Sequence, residues 1–158
     1  MTQTRQYCTF RLDRYLFGVE VEQVQEVLRY MDMTCVPLAS QAVKGLINLR
    51  GQIVPALDLR RMFQLEARAE DQRPMNVVLL TADGVVSLLV DEIGEVMEVQ
   101  EADFEPKPET LRGVARDLVA GVYKLPGQLL LVLDTARAVD VNAVAEIGSG
   151  TQLKGVAK

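Results

Sequence analysis

The residue types that most often carry chemistry are scarce in this chain. It has no histidine, which excludes Ser-His-Asp and Cys-His nucleophilic pairs, imidazole metal sites and a phosphohistidine. Cys8 and Cys35 lie far apart with no CxxC spacing. They read as buried reduced thiols, and two sulfurs alone cannot complete a structural zinc site. Carboxylate and amine chemistry is what remains, and Asp58, Asp91 and Asp134 with Lys124 are the set that could supply it. Asp58 and Asp134 each stand directly after a strand-like apolar run, where offering a carboxylate to free backbone N–H groups accounts for them. The sequence therefore offers no catalytic constellation, metal-ligand set or cofactor motif.

Arg50 belongs to the stretch around which the rest is organised, VKGLINLRGQIVPALDLRR from Val43 to Arg61. Residues 46–49 and 53–57 are apolar runs of strand length. Arg50-Gly51 between them marks a tight hairpin turn, because glycine accepts positive φ. Pro55 has no N–H for a central ladder, so the second run is an edge, a bulge or a strand end. Asp58 then caps a short helical turn over residues 59–63. An arginine at such a tip is not easily buried unpaired; it is either a solvated turn residue or one that faces a partner.

The totals bound the class. The chain has 158 residues, 49% of them hydrophobic and mostly aliphatic, with no Trp, four Tyr and four Phe. That is enough for a real core in one domain, or in one domain of two small lobes. Its 22 acidic and 17 basic residues give a net charge of −5, and no Lys/Arg cluster supplies the basic face that nucleic acid requires. No apolar run approaches the ~20 residues that span a bilayer, and the N-terminus shows no apolar secretion segment. The expectation is a cytoplasmic protein with no direct membrane insertion.

Alternating or apolar segments predict strands near 7–12, 15–21, 46–49, 53–57, 76–81, 85–90, 119–125 and 129–133. Val21, Val24, Val27 and Leu28 fall at near-helical spacing, and residues 91–96 repeat that pattern, so a short helical turn is expected at each. The charged, aperiodic stretch 64–74 is the best internal boundary. Residues 100–117 read as a long surface connection, 38–44 as a shorter one, and 141–158 as a flexible tail.

The two halves repeat one another. Val43, Gly45, Leu49, Gly51, Gln52, Leu57, Asp58 and Arg61 recur in phase as Val119, Gly121, Leu125, Gly127, Gln128, Leu133, Asp134 and Arg137. Upstream, VEQVQEV (21–27) answers VDEIGEV (90–96). The chain thus looks like two copies of a strand-rich unit, about 7–62 and 76–138. So small a unit cannot cover both faces as a flat sheet, and curling into a barrel buries one face. The repeat also serves as an internal control. Gly51, Gly127, Asp58 and Asp134 recur and so read as turns and caps. Arg50 does not recur, since Pro126 stands in its place; the turn does not need it, and it is free to meet a partner or a carboxylate.

KGLINLRGQIVPALDLR (44–60), preceded by VEQVQEVLR (21–29) and followed by VVSLLVDEIGEV (85–96) and LVAGVYKLPGQLLLVLD (118–134), resembles the chemotaxis coupling family CheW over about residues 6–140. The resemblance implies an all-β fold with a few short helices, built as two SH3-like five-stranded barrel lobes. It implies a non-catalytic adaptor without cofactor, recruited to membrane receptor arrays. Its implied partners are the cytoplasmic tip of a chemoreceptor (a methyl-accepting protein) and the regulatory domain of the histidine kinase CheA. By motif position, Arg50 and Glu26 form a salt bridge that shapes the receptor-facing surface, with Val24, Gly45, Asn48 and Leu49 on or beside it. Gly45 has a rival scaffold reading because Gly121 repeats it, and Val24 a core reading because Ile93 repeats its character. Kinase contacts have no comparable motif and are assigned only to strand edges. Ser87 stands where the family often has Gly, and 141–158 matches nothing. A coupling protein of a different CheA-like pathway, such as surface motility, and a small-ligand-binding β-barrel module both stay open, as does the identity of the receptor and kinase.

Overall fold

Apolar runs punctuated by turn residues become ten strands in the computed structural model, which describes residues 3–35, 43–82 and 84–139. In chain order they are β1 (Thr4–Leu12), β2 (Tyr15–Glu20), β3 (Val24–Leu28), β4 (Val43–Leu49), β5 (Gln52–Asp58), β6 (Met75–Thr81), β7 (Gly84–Val90), β8 (Glu92–Gln100), β9 (Val119–Leu125) and β10 (Gln128–Leu133). Three short helices, α1 (Leu59–Met62), α2 (Gly113–Leu118) and α3 (Thr135–Val139), and 3-10 turns at Val21–Gln23 and Glu101–Asp103 complete the described chain. It is mostly β, as the sequence indicated. The expected tail over 141–158, most of the 38–44 connection and Asp83 lie outside the described residues.

Two local expectations shift. Of the helical turn expected from Val21, Val24, Val27 and Leu28, only Val21–Gln23 turns, and the rest is strand β3; the second stretch, 91–96, becomes the start of β8. Both strands are sheet edges. Burial along β3 alternates, with Val24, Glu26 and Leu28 partly covered and Val27 exposed, so apolar residues placed on both faces of a strand imitate a helix stripe. The surface connection over 100–117 contains most of α2, whose Leu118 is buried.

The strands form two five-stranded sheets, in the orders β8-β1-β2-β10-β9 and β3-β6-β7-β5-β4. Strands β1 to β5 and β6 to β10 are the two copies of the sequence repeat. Each sheet combines the first two strands of one copy with the last three of the other, so both carry the same order in repeat terms. The exchange is held by four ladders between the copies, the parallel pairs β2 on β10 and β5 on β7 and the antiparallel pairs β1 on β8 and β3 on β6. The repeat therefore does not divide the molecule into one lobe per copy. The chain leaves the first sheet at Val21–Gln23 and returns at Asp91, while the charged stretch 64–74 lies between α1 and β6 of a single sheet.

The segment leaving each third-position strand crosses to the opposite edge. Thr34 and Leu46 exchange backbone hydrogen bonds of 2.9 and 2.8 Å, and Glu105 and Val122 exchange two of 2.9 Å. These crossings explain why one glycine recurs. A Cβ on Gly45 would lie 2.8 Å from the Thr34 carbonyl oxygen, and one on Gly121 would lie 2.6 Å from that of Glu105.

Three apolar clusters fill the molecule. The largest joins both sheets, with Phe10, Val19, Val119 and Leu133 from one and Leu57, Val77, Leu79 and Leu88 from the other. Ile47, Leu49, Val54, Ala56, Val78 and Leu89 form a second within the β4-containing sheet. Tyr7, Leu16, Tyr123, Leu130 and Val132 form a third within the β1-containing sheet. Neighbours along one strand thus feed different clusters, Val77 and Leu79 on one face and Val78 on the other. Burial of both faces is why these strands read as continuous apolar runs.

Candidate functional site

The β4–β5 hairpin closes on Arg50 (φ +52°) and Gly51 (φ +87°), between Leu49 and Gln52. Positive φ at both central residues is the two-residue turn whose twist matches that of the strands, and it normally uses Asn-Gly or Gly-Gly. Asn48 braces it by accepting the Gly51 N–H at 2.8 Å. The matching turn of β9–β10 has Pro126, whose ring fixes a negative φ, followed by Gly127 (φ +78°). The two hairpins therefore turn by different means. Arg50 occupies a left-handed position that its counterpart cannot adopt, and one that is costly for a side chain with a Cβ.

The Arg50 guanidinium reaches Glu26, and its Nη2 donates to Glu26 Oε2. Arg50 is 66% exposed along its side chain and Glu26 23%. Glu26 lies on β3 and Arg50 at the end of β4, the two edges of one sheet, so the pair spans the opening between those edges. The hydrogen bond from Arg50 is the largest influence holding the Glu26 carboxyl below the usual glutamate range.

The other candidates separate by burial. Asn48 is exposed beside Arg50, and Val24 is half-buried against the shared core. Gly45 and Leu49 are buried, Gly45 beneath the Thr34 crossing and Leu49 inside its sheet. Ile53, 59% exposed and directly across the ladder from Asn48, adds an apolar contact that sequence reasoning missed. No sequence signal marked it, because Ile53 stands inside an apolar run; its exposure, and that of its repeat counterpart Leu129, shows only in the structure. Asp58 caps α1 by accepting the Arg60 N–H at 3.0 Å, and Asp134 accepts the Arg137 N–H at 3.2 Å at the start of α3.

The carboxylates that could have formed a reactive cluster each have a different occupation. Asp91 accepts two hydrogen bonds from Arg60 (2.8 and 2.6 Å), one from Arg68 Nε (2.9 Å) and one from the Asp13 N–H (2.6 Å). Arg68 also reaches Asp58 at 3.2 Å and the Leu89 carbonyl at 3.2 Å. Lys124 pairs with Glu105 at 3.5 Å, and Asp134 caps a helix. Burial alone would push the Asp91 carboxyl up, but the hydrogen bonds from Arg60 and Asp13 and the charge of Arg68 outweigh it and hold it low. Arg60 of the DLR string and Arg68, unremarked in the charged stretch 64–74, are thus the ties of a largely buried ionic hub where the chain crosses between sheets. Among the described residues, no group of three or more His, Cys, Asp or Glu is arranged to hold a metal ion, and no helix is long and apolar enough to cross a membrane.

A family model described as the CheW-like domain matches residues 6–147. The chain belongs to the CheW-like family. It is 31% identical over 133 residues to chemotaxis protein CheW of Treponema pallidum (strain Nichols), covering 82% of this chain and 78% of that protein. To chemotaxis protein CheW of Klebsiella aerogenes it is 27% identical over 144 residues, covering 91% and 87%. The crystal structure of scaffolding protein TtCheW from Thermoanaerobacter tengcongensis superposes with a TM-score of 0.79 at 25% identity, over 89% of this chain and 96% of that one. The family read from the NLRG and DLR strings is the family found. Within this CheW-like chain, the exposed Arg50–Glu26 pair occupies the residues that carried the resemblance, and it spans the two edges of one sheet.

Proposed function

We propose that this chain is a non-catalytic scaffold that couples transmembrane chemoreceptors to a CheA-type histidine kinase in chemotaxis. The observation that carries the reading is the exposed Arg50–Glu26 pair in a CheW-like chain, held at a turn whose repeat copy has proline. Arg50, Glu26, Asn48 and Val24 meet the cytoplasmic tip of the receptor. Gly45 and Leu49 support that surface from beneath. The kinase regulatory domain docks on the strand edges, and the protein works on the cytoplasmic side, recruited to receptor arrays. Each sheet with its crossing segment acts as one SH3-like barrel, a reading supported by the Thr34–Leu46 and Glu105–Val122 bridges. Coupling arises because two modest contacts on one rigid body raise the effective concentration of receptor beside kinase.

Sedimentation with receptor-bearing membranes tests this. Arg50→Ala removes a charge at an exposed position and Glu26→Gln one at a half-buried position in an isosteric change, and both should pellet less with the membranes while keeping the native circular dichroism spectrum. Neither adds backbone strain, since alanine and arginine suffer alike at positive φ. Undiminished pelleting of both variants would sink the assignment of this surface.

A further inference from the structure

One sheet carries an aromatic wall that the matching positions of the other lack. A cavity of about 550 Å³ opens on the β1-containing sheet, walled by Tyr7, Phe104 and Tyr123 and edged by Arg5, Glu20 and Glu101. The Tyr7 and Tyr123 rings lie 5.6 Å apart, and Phe104 meets Tyr123 edge-on at 5.3 Å. Two glycines make room for this wall. A Cβ on Gly121 would strike the Phe104 ring, and one on Gly18 would crowd Tyr7 Cβ at 3.2 Å. In the other sheet the positions matching Tyr7, Tyr123 and Phe104 are Asn76, Ile47 and Met33. The same fold thus holds there with no aromatic ring at any of the three matching positions. The aromatic wall is not a requirement of the architecture.

The mouth is acidic. Glu20 and Glu101 flank it, and Arg5 is the one basic side chain among its described lining, bonded to Glu20 and 3.4 Å from Glu101. The adjoining groove adds Glu22 and Glu98 and again has Arg5 as its only described base. Four glutamates face one arginine across the two openings. Arg5 itself shows what suits the mouth, a guanidinium between two carboxylates. Phe104, 40% exposed, leaves part of a ring uncovered beside it.

We propose that this cavity is a docking pocket for a cationic side chain, arginine in preference to lysine, presented by a partner protein. A planar guanidinium stacks on an aromatic ring while its N–H fork engages a carboxylate, and an ammonium does only part of this. Arg5 competes for the same carboxylates as a resident occupant. The pocket lies on the opposite sheet from Arg50 and Glu26, so its failure would leave the receptor-facing surface untouched.

The test is an NMR titration of the full chain with N-acetyl-arginine amide, set against the neutral isostere N-acetyl-citrulline amide and the apolar N-acetyl-norleucine amide. The arginine amide should shift the ring resonances of Tyr7, Phe104 and Tyr123, and the two neutral probes should not. Glu101→Gln should weaken that response about tenfold, the loss of one charge-assisted hydrogen bond. Arg5→Ala, which removes the competitor, should strengthen it severalfold. Both variants change exposed side chains and keep the fold. Equal shifts from a neutral probe, an unaltered response in Glu101→Gln, or no strengthening in Arg5→Ala would each overturn the proposal.

Discussion

Replacing Asp91 with alanine should destabilise the protein by about 3 kcal/mol. Asp91 stands where the chain crosses from one sheet to the other, and four hydrogen bonds end on its carboxylate. Its loss takes a carboxylate partner from two arginines whose side chains are 11% and 9% exposed, Arg60 and Arg68; Arg60 is then left with the Glu66 carbonyl at 2.7 Å. Breaking a buried ion pair by removing one partner costs about 3–5 kcal/mol. The lower end applies here, because Asp91 is itself 18% exposed and Arg68 keeps Asp58 at 3.2 Å. At this chain length the loss corresponds to a fall in melting temperature of roughly 6–12 °C. Urea unfolding followed by far-ultraviolet circular dichroism measures it directly, and tyrosine fluorescence gives a second probe. The double variant Asp91→Ala/Arg60→Met should recover part of the deficit, since it no longer leaves Arg60 without that carboxylate. The pH dependence has a definite sign. The folded carboxyl titrates below its unfolded value of about 3.9, so its stabilisation is fully present above that value and fades as pH falls through the folded pKa. The gap between the unsubstituted protein and Asp91→Asn should therefore narrow below about pH 4. A deficit under about 1 kcal/mol for Asp91→Ala, or a gap that stays constant down to pH 3, would refute the reasoning.

Further outcomes follow from single contacts. Gly121→Ala should cost about 2–4 kcal/mol by thermal melting, because the Glu105 carbonyl beneath the new Cβ is backbone and yields less than the Phe104 ring. Ser87→Ala should cost about 1 kcal/mol, as the hydroxyl donates to the buried Asn76 Oδ1 at 2.8 Å; a neutral effect in urea unfolding would show that Asn76 finds another donor. In Arg50→Ala the Glu26 carboxyl should titrate closer to the ordinary glutamate range, by carbon-detected NMR, while the melting temperature stays put. An unmoved titration midpoint would mean that the pair does not form in solution.

The hairpin around Arg50 was legible because two apolar runs and an Arg-Gly pair state their geometry within a dozen residues. The caps at Asp58 and Asp134 were legible for the same local reason. The strand exchange was not. Periodic similarity says that β2 resembles β7, but not that β2 pairs with β10 and β7 with β5. Those ladders join residues far apart in the chain, and turn chemistry does not reach that far. Arg68 was hidden differently: in a stretch rich in charge, nothing local separates a solvated arginine from one tied to two aspartates. Ser87 was noticed as a departure, and its reason lies in Asn76. That Asn–Ser pair takes the place held in the other sheet by Tyr7 and Gly18.

Because the described strands pass from one sheet to the other at residues 21–23 and at Asp91, the order of synthesis matters. Strands β3 to β7 are contiguous and can assemble as soon as residue 90 clears the ribosome. The hairpin of β1 and β2, made first, has no ladder to join until β8 to β10 emerge last. Made before the strands it must join, that hairpin is therefore the last of the described strands to find its neighbours, and its bare edges are most open to mispairing during that wait.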